Sequence, residues 1–165
     1  MKLSIIIPAY NEAETIKETL KRVRASRAFG MEKEIVVVDD GSTDQTAEIA
    51  RTEIGVTVIQ QTPNQGKGTA LKIGFERTTG DIVLIQDADL EYVPKDYEAL
   101  LEPIIRGQAD VVYGSRFISN QPRRILFFHH YLANNLITFL SNLLTNLNLS
   151  NVETGYKVFR CEVVS

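Results

Sequence analysis

Apolar positions along this chain follow two rhythms. Short, β-branched runs at residues 3–7, 35–38, 56–59, 82–85 and 111–112 read as strands buried on both faces. Between them the spacing turns helical. Asn11 with Glu14 forms a capping pair ahead of Ile16, Leu20 and Val23 on one face, and Ser42 with Gln45 makes a second cap. Residues 69–77 and 95–105 supply two more helices, the latter begun near Pro94. Strand and helix alternate over the first 114 residues, which predicts an α/β fold with a mainly parallel sheet.

Residues 125–147 carry no formal charge and have the length of a membrane span, but their polar content argues against one. His129, His130, Asn134, Asn135, Ser141, Asn142, Thr145 and Asn146 would be costly in hydrocarbon. Phe128, Leu132, Leu136, Leu140, Leu143 and Leu147 recur at helical spacing, opposite a stripe of Asn134, Thr138, Ser141 and Thr145. The segment is therefore an amphipathic helix. Its apolar face is expected to pack on the domain core; the competing reading, a membrane-surface helix, lacks the Lys and Arg that would favour it. Adjacent His129 and His130 diverge on a helix, so packing suits them better than shared metal ligation.

Composition narrows the classes. With 165 residues and 44% hydrophobic content the chain can bury one core, and it is expected to form a single domain over residues 1–165. A net charge of -3 with scattered basic residues excludes a nucleic-acid partner, whose phosphates need a basic face. Cys161 is the only cysteine, so neither a disulfide framework nor a thiolate zinc site is available, and a cytoplasmic setting is expected. The N-terminus enters a strand directly, without a signal-peptide layout.

In a parallel sheet, ligands bind beyond the carboxyl ends of the strands, and each strand here runs into a chemically distinctive loop. Residues 82–85 lead to Asp87-Ala88-Asp89, whose alternate carboxylates can face one way and attract Mg²⁺ or Mn²⁺. Glu91 extends the acidic series to a third metal ligand, or is simply an exposed acid. Asp39 and Asp40 have two readings: turn residues ahead of Gly41, or acceptors for a ribose hydroxyl or base N–H, with Tyr10 beside the base. Gly66-Lys67-Gly68 is no Walker motif, because Gln61 stands where its first glycine belongs and Gly68 replaces its Ser/Thr. A lysine between glycines at a helix N-terminus can still hold a diphosphate. No G-x-G-x-x-G follows a strand, so a dinucleotide oxidoreductase loses its main support. Arg116, Arg123 and Arg124 offer guanidinium groups to a second phosphate.

Together, Pro8-Ala9-Tyr10-Asn11-Glu12, Val38-Asp39-Asp40-Gly41-Ser42-Thr43-Asp44, Asn64-Gln65-Gly66-Lys67-Gly68, Asp87-Ala88-Asp89 and Gly114-Ser115-Arg116 resemble family 2 inverting glycosyltransferases of the Rossmann-like GT-A fold. The later Thr154-Gly155-Tyr156-Lys157 element is similar to that of the polyprenyl-phosphate branch, the dolichyl-phosphate mannosyltransferase-like enzymes. The resemblance implies that Pro8, Tyr10, Glu12, Val37, Asp39, Asp40 and Ala88 surround the donor nucleotide-sugar and that Lys67 reaches its diphosphate. It further implies that Asp87, Asp89 and Glu91 hold the metal, and that Arg116 and Arg124 meet the acceptor phosphate. Asp89, Arg116 and Glu153 would carry the chemistry. One departure is Asn151, where the branch has an aspartate; Glu153 is the nearest carboxylate remaining. The absence of tryptophan removes the Q-x-x-R-W element of processive synthases.

The expected function is metal-dependent transfer of a sugar from a GDP- or UDP-sugar to a polyprenyl phosphate, with inversion, at the cytoplasmic membrane face. The chain is expected to be a catalytic domain truncated at its C-terminus. Competing readings are a transferase acting on a glycan or protein hydroxyl, a nucleotide-sugar-binding module without turnover, and a nucleotidyltransferase.

Overall fold

The computed structural model describes residues 1–90, 94–114, 128–145 and 155–164. Strands β1 (Lys2–Ala9), β2 (Glu32–Asp39), β3 (Val56–Gln60), β4 (Ile82–Ile85), β5 (Val111–Tyr113) and β6 (Lys157–Arg160) form one sheet in the order β3-β2-β1-β4-β6-β5. Helices α1 (Ile16–Ala25), α2 (Thr46–Arg51), α3 (Lys67–Arg77) and α4 (Tyr97–Ile105) connect its strands, and α5 (Phe128–Thr145) and α6 (Cys161–Val164) follow. A single 3₁₀ turn, Pro94–Asp96, precedes α4.

The five strands expected from the sequence are present, and β1, β2, β3 and β4 pair in parallel. The sixth is new. β6 inserts antiparallel between β4 and β5, with Ile85 paired to Lys157 and Tyr113 paired to the same lysine on the other side. This register sets the start of β6 at the carboxyl end of β4. The sheet order reverses between β1 and β4, and ligands of such sheets lie at that point.

Alternation along the strands distributes the core to both faces. Leu3, Ile5, Ile7, Val37 and Leu84 pack with Ile16, Leu20 and Val23 of α1 and with Tyr97, Leu101 and Ile104 of α4. Ile6, Val36, Val38 and Val83 meet Ala70 of α3 on the opposite face. Gly74 lets α3 lie close to β1: a Cβ there would stand 2.5 Å from Ile6 Cγ2, an overpacking that costs about 1–3 kcal/mol in a filled core.

Two expected caps are corrected. Helix α1 begins after Thr15 and α2 after Gln45, neither with a side-chain cap. Asn11 instead takes a positive φ of 55° and bridges to the second loop, its Oδ1 accepting from Thr43 N at 2.9 Å while Ser42 Oγ accepts from Asn11 N at 2.9 Å. Asp44 does the work at α2, accepting from Thr46 N at 3.0 Å. These side chains knit two loops that the sequence separates by about thirty positions, which a local capping pattern does not reveal.

Helix α5 also departs from expectation. Of the expected polar stripe, Asn134 and Thr138 are buried and Ser141 is half-buried, whereas Leu136, Phe139, Leu140, Leu143 and Leu144 are exposed, Leu144 by 84%. Amphipathic spacing identifies two faces but not which one turns inward. Here the expected packing of Leu136, Leu140 and Leu143 on the core is reversed.

Candidate active site

Four strand-end segments build a cleft at the sheet's carboxyl edge. Pro8 and Ala9 end β1, Tyr10 and Glu12 follow it, Asp40 follows β2, Lys67 opens α3, and Asp87, Ala88 and Asp89 follow β4. Backbone packing fixes the second loop against the third. Gly41 has φ 73°, and a Cβ on it would stand 2.9 Å from Asn64 N, so any side chain would force the loops apart.

The two aspartates of the second loop have different work. Asp40 Oδ1 accepts from the Gln61 side-chain amide and from Gln65 N at 2.9 Å, which anchors the loop leading to Lys67. Asp39 is fully buried. Its Oδ2 accepts from Ser42 N at 3.3 Å, while its Oδ1 has no hydrogen-bond partner among the described residues. A buried acceptor left unpaired is unfavourable by about 1–3 kcal/mol, and more when charged, so this oxygen is suited to a ligand's N–H or O–H. Val37 is fully buried in the core and is not among the residues that line the cleft.

Asp87 and Asp89 both line the cleft, with Ala88 buried between them. Lys67 Nζ donates to Asp87 Oδ1 at 2.5 Å, joining the third loop to the fourth. Helix α3 starts two residues earlier than expected, at Lys67, after Gly66 with φ 90° and without a side-chain cap. Its first turn has no acidic residue, so backbone N–H groups and a lysine face the same edge.

The backbone of the aspartate pair is held from below. Gln86, fully buried, donates its side-chain amide to Asp87 O at 2.9 Å and accepts from Tyr97 OH at 2.9 Å. Burial, and secondarily Tyr156, push the Tyr97 phenol well above its ordinary value, so it stays a donor. Thr19 Oγ1 donates to Ala88 O at 2.9 Å. Leu90 then takes φ 60°, a left-handed turn that a leucine adopts only when its surroundings impose it. Sequence reasoning missed Thr19, Gln86 and Tyr97, because their partners are backbone groups or distant residues.

Glu12 is half-buried and accepts from Thr15 Oγ1 at 2.5 Å, while Tyr10 is exposed at the rim. Glu91, Arg116, Arg123, Arg124, Asn151 and Glu153 lie outside the described residues. Among the described residues, no group of three or more His, Cys, Asp or Glu could hold a metal. The Asp87–Asp89 pair still fits Mg²⁺ or Mn²⁺, hard ions often bound by one or two carboxylates together with substrate phosphates.

Residues 4–165 match the family model described as glycosyl transferase family 2. The chain is 40% identical over 121 residues to a dolichol-phosphate mannosyltransferase of Pyrococcus furiosus, covering 72% of this chain and 34% of that protein. It is 34% identical to an undecaprenyl-phosphate 4-deoxy-4-formamido-L-arabinose transferase of Edwardsiella ictaluri, over 98% of this chain and 50% of the relative. The chain thus spans half or less of the length of these two relatives. In three dimensions it is similar to Mycobacterium tuberculosis glucosyl-3-phosphoglycerate synthase in complex with Mn²⁺, uridine diphosphate and glucosyl-3-phosphoglycerate. The TM-score is 0.70 at 25% identity, over 98% of this chain and 57% of the other. Taken with the parallel sheet and the cleft at its carboxyl edge, these similarities establish that the chain belongs to glycosyl transferase family 2 and has the GT-A fold.

Proposed function

We propose that this glycosyltransferase domain moves a sugar, with inversion, from a GDP- or UDP-sugar to a polyprenyl phosphate in a metal-dependent reaction. One observation carries the reading: Asp39, with its unpaired carboxylate oxygen, ends β2 next to Asp40, and Asp40 lines one cleft with Lys67 at the α3 N-terminus and the Asp87–Asp89 pair. They match in order the nucleoside, the diphosphate and the cation of a nucleotide-sugar complex.

Asp39 accepts from the nucleoside, with Pro8, Tyr10 and Glu12 forming the neighbouring wall. Lys67 and the N-terminal amides of α3 hold the diphosphate. Asp87 and Asp89, with Glu91, would hold Mg²⁺ or Mn²⁺. When bound, the ion supplies charge neutralisation for the departing diphosphate.

An acceptor phosphate favours a mechanism with little proton transfer. Its oxygen is anionic near neutral pH, so in-line attack on the anomeric carbon needs orientation rather than a general base. Arg116 and Arg124 supply that orientation, and Glu153 serves as a secondary orienting group. A single displacement inverts the anomeric centre.

The lipid acceptor is supported by the two prenyl-phosphate relatives and by the outward apolar face of α5. Among the described residues no helix is long and apolar enough to cross a membrane. Leu136, Phe139, Leu140, Leu143 and Leu144 instead suit contact with the cytoplasmic membrane surface.

Radiolabelled GDP- and UDP-sugars with Mn²⁺ or Mg²⁺, offered polyprenyl phosphate or soluble glycan acceptors, test the proposal. The expected product is a prenyl-linked sugar of inverted anomeric configuration. Transfer to the soluble acceptors alone would reject the lipid assignment.

A further inference from the structure

Lys157 closes the Thr154-Gly155-Tyr156-Lys157 element and begins β6, and no role has been given to its side chain. Its pairing with Ile85 sets it at the carboxyl end of β4, two residues before Asp87 in that neighbouring strand's continuation. Phe159 packs edge-on against Phe75 of α3, with ring centroids 5.9 Å apart. Strand alternation puts Lys157 on the same face, towards the end where α3 begins with Lys67.

The surroundings of its ammonium group are incomplete for a positive charge. Lys157 is half-buried, and its Nζ stands 5.5 Å from the centre of the Tyr113 ring. Among the described residues it forms no ion pair, and the nearby Asp87 is already engaged by Lys67. Lys157 lies within electrostatic reach of both Lys67 and Asp87. A ring face only partly replaces lost hydration, and the nearby carboxylate is paired with Lys67. An anion beside Lys157 would relieve both deficits.

We propose that Lys157 is a phosphate-contacting residue, bracketing Asp87 with Lys67 and presenting a second ammonium group to phosphate oxygens at the carboxyl end of β4. The transferase reading is needed only to say whose phosphate this is. The donor's diphosphate and the acceptor's phosphate ester share the chemistry.

The test titrates inorganic pyrophosphate, UDP, GDP and geranyl phosphate into the full chain and into its Lys157→Met and Lys157→Arg variants by calorimetry. Lys157→Met keeps the apolar stem and is expected to lose about tenfold or more in pyrophosphate affinity, the scale of one charge-assisted hydrogen bond. Lys157→Arg should retain most of it. A parallel loss for UDP or GDP assigns Lys157 to the donor, and a loss for geranyl phosphate assigns it to the acceptor. Pyrophosphate binding that depends on Lys157, without binding of UDP or GDP, would overturn the nucleotide-sugar reading and leave the phosphate site standing. Equal pyrophosphate binding by the wild type and Lys157→Met would overturn the phosphate site. If Lys157→Met does not fold, ¹³C-dimethyl-lysine resonances of the wild type decide. Lys157 and Lys67 should both shift with pyrophosphate, and a shift of Lys67 alone would overturn the proposal.

Discussion

The Thr19 hydroxyl, buried on α1, donates at 2.9 Å to the carbonyl of Ala88, the middle residue of the aspartate triplet. A helix from the first third of the chain thereby holds the backbone that presents Asp87 and Asp89. Thr19→Val keeps the shape and removes the donor, leaving a buried carbonyl unpaired. It should lower unfolding free energy by about 1–3 kcal/mol in denaturant titrations and raise the Mn²⁺ concentration needed for half-maximal turnover. Thr19→Ser should restore both. Loss of stability with unchanged metal dependence would confine Thr19 to a structural role.

Lys67 and Asp87 form an ion pair at 2.5 Å, with Lys67 about half exposed. Such pairs are worth at most about 1 kcal/mol, so the direction of the effect is more informative than its size. Lys67→Met should tighten Mn²⁺ binding in the absence of nucleotide, by up to about fivefold, because Asp87 no longer has an internal cation. The same variant should bind UDP or GDP more weakly. Calorimetric titration with Mn²⁺ and then nucleotide separates the two effects.

Asp39→Asn keeps one oxygen to accept from Ser42 N and converts the unpaired Oδ1 into a donor. It should leave the melting temperature nearly unchanged, since the side chain keeps its shape and its bond from Ser42 N. Uridine or guanosine affinity should fall by about tenfold or more, because the amide cannot accept from the ligand at that position. Retained nucleoside affinity would place recognition elsewhere.

The opposite edge of the sheet has its own pH dependence. Burial raises the Glu34 pKa, but donors from Ser4, Thr79 N, Lys2 and the Thr79 hydroxyl outweigh it and hold the group at about 2. A depressed folded value means that the stabilisation is fully present above the ordinary value of 4.5 and is lost as pH falls towards 2. The contribution is on the order of 3 kcal/mol. Glu34→Gln should be less stable at pH 7 and show a flatter stability profile between pH ~4.5 and ~2. An unchanged profile would contradict this assignment.

Much of the fold was legible because its signals are local. Ile5, Ile6 and Ile7 form an unbroken apolar run because helices cover both faces of β1, and the loops after β1, β2 and β4 contain residues that strands themselves avoid. Pro8, Tyr10, Glu12, Asp40, Lys67, Asp87, Ala88 and Asp89 do meet in one cleft. That Lys157-Val158-Phe159-Arg160 forms a strand escaped notice because a four-residue strand with charged ends has almost no pattern, and only its neighbours β4 and β5 make it one. Asn11 and Ser42 resemble caps locally, but their partners lie across the loop interface. The outward face of α5 depends on tertiary contacts, which periodicity does not encode.

The central claim is that the cleft binds a nucleotide-sugar through a metal held by Asp87 and Asp89. Nucleoside diphosphate release from GDP- and UDP-sugars, measured with Mn²⁺ and polyprenyl phosphate for the wild type and for Asp89→Ala, tests it most directly. The account predicts release that requires Mn²⁺ or Mg²⁺, is inhibited by chelator and is abolished in Asp89→Ala, while the variant melts as the wild type does. Near-normal, metal-dependent turnover by Asp89→Ala would contradict it.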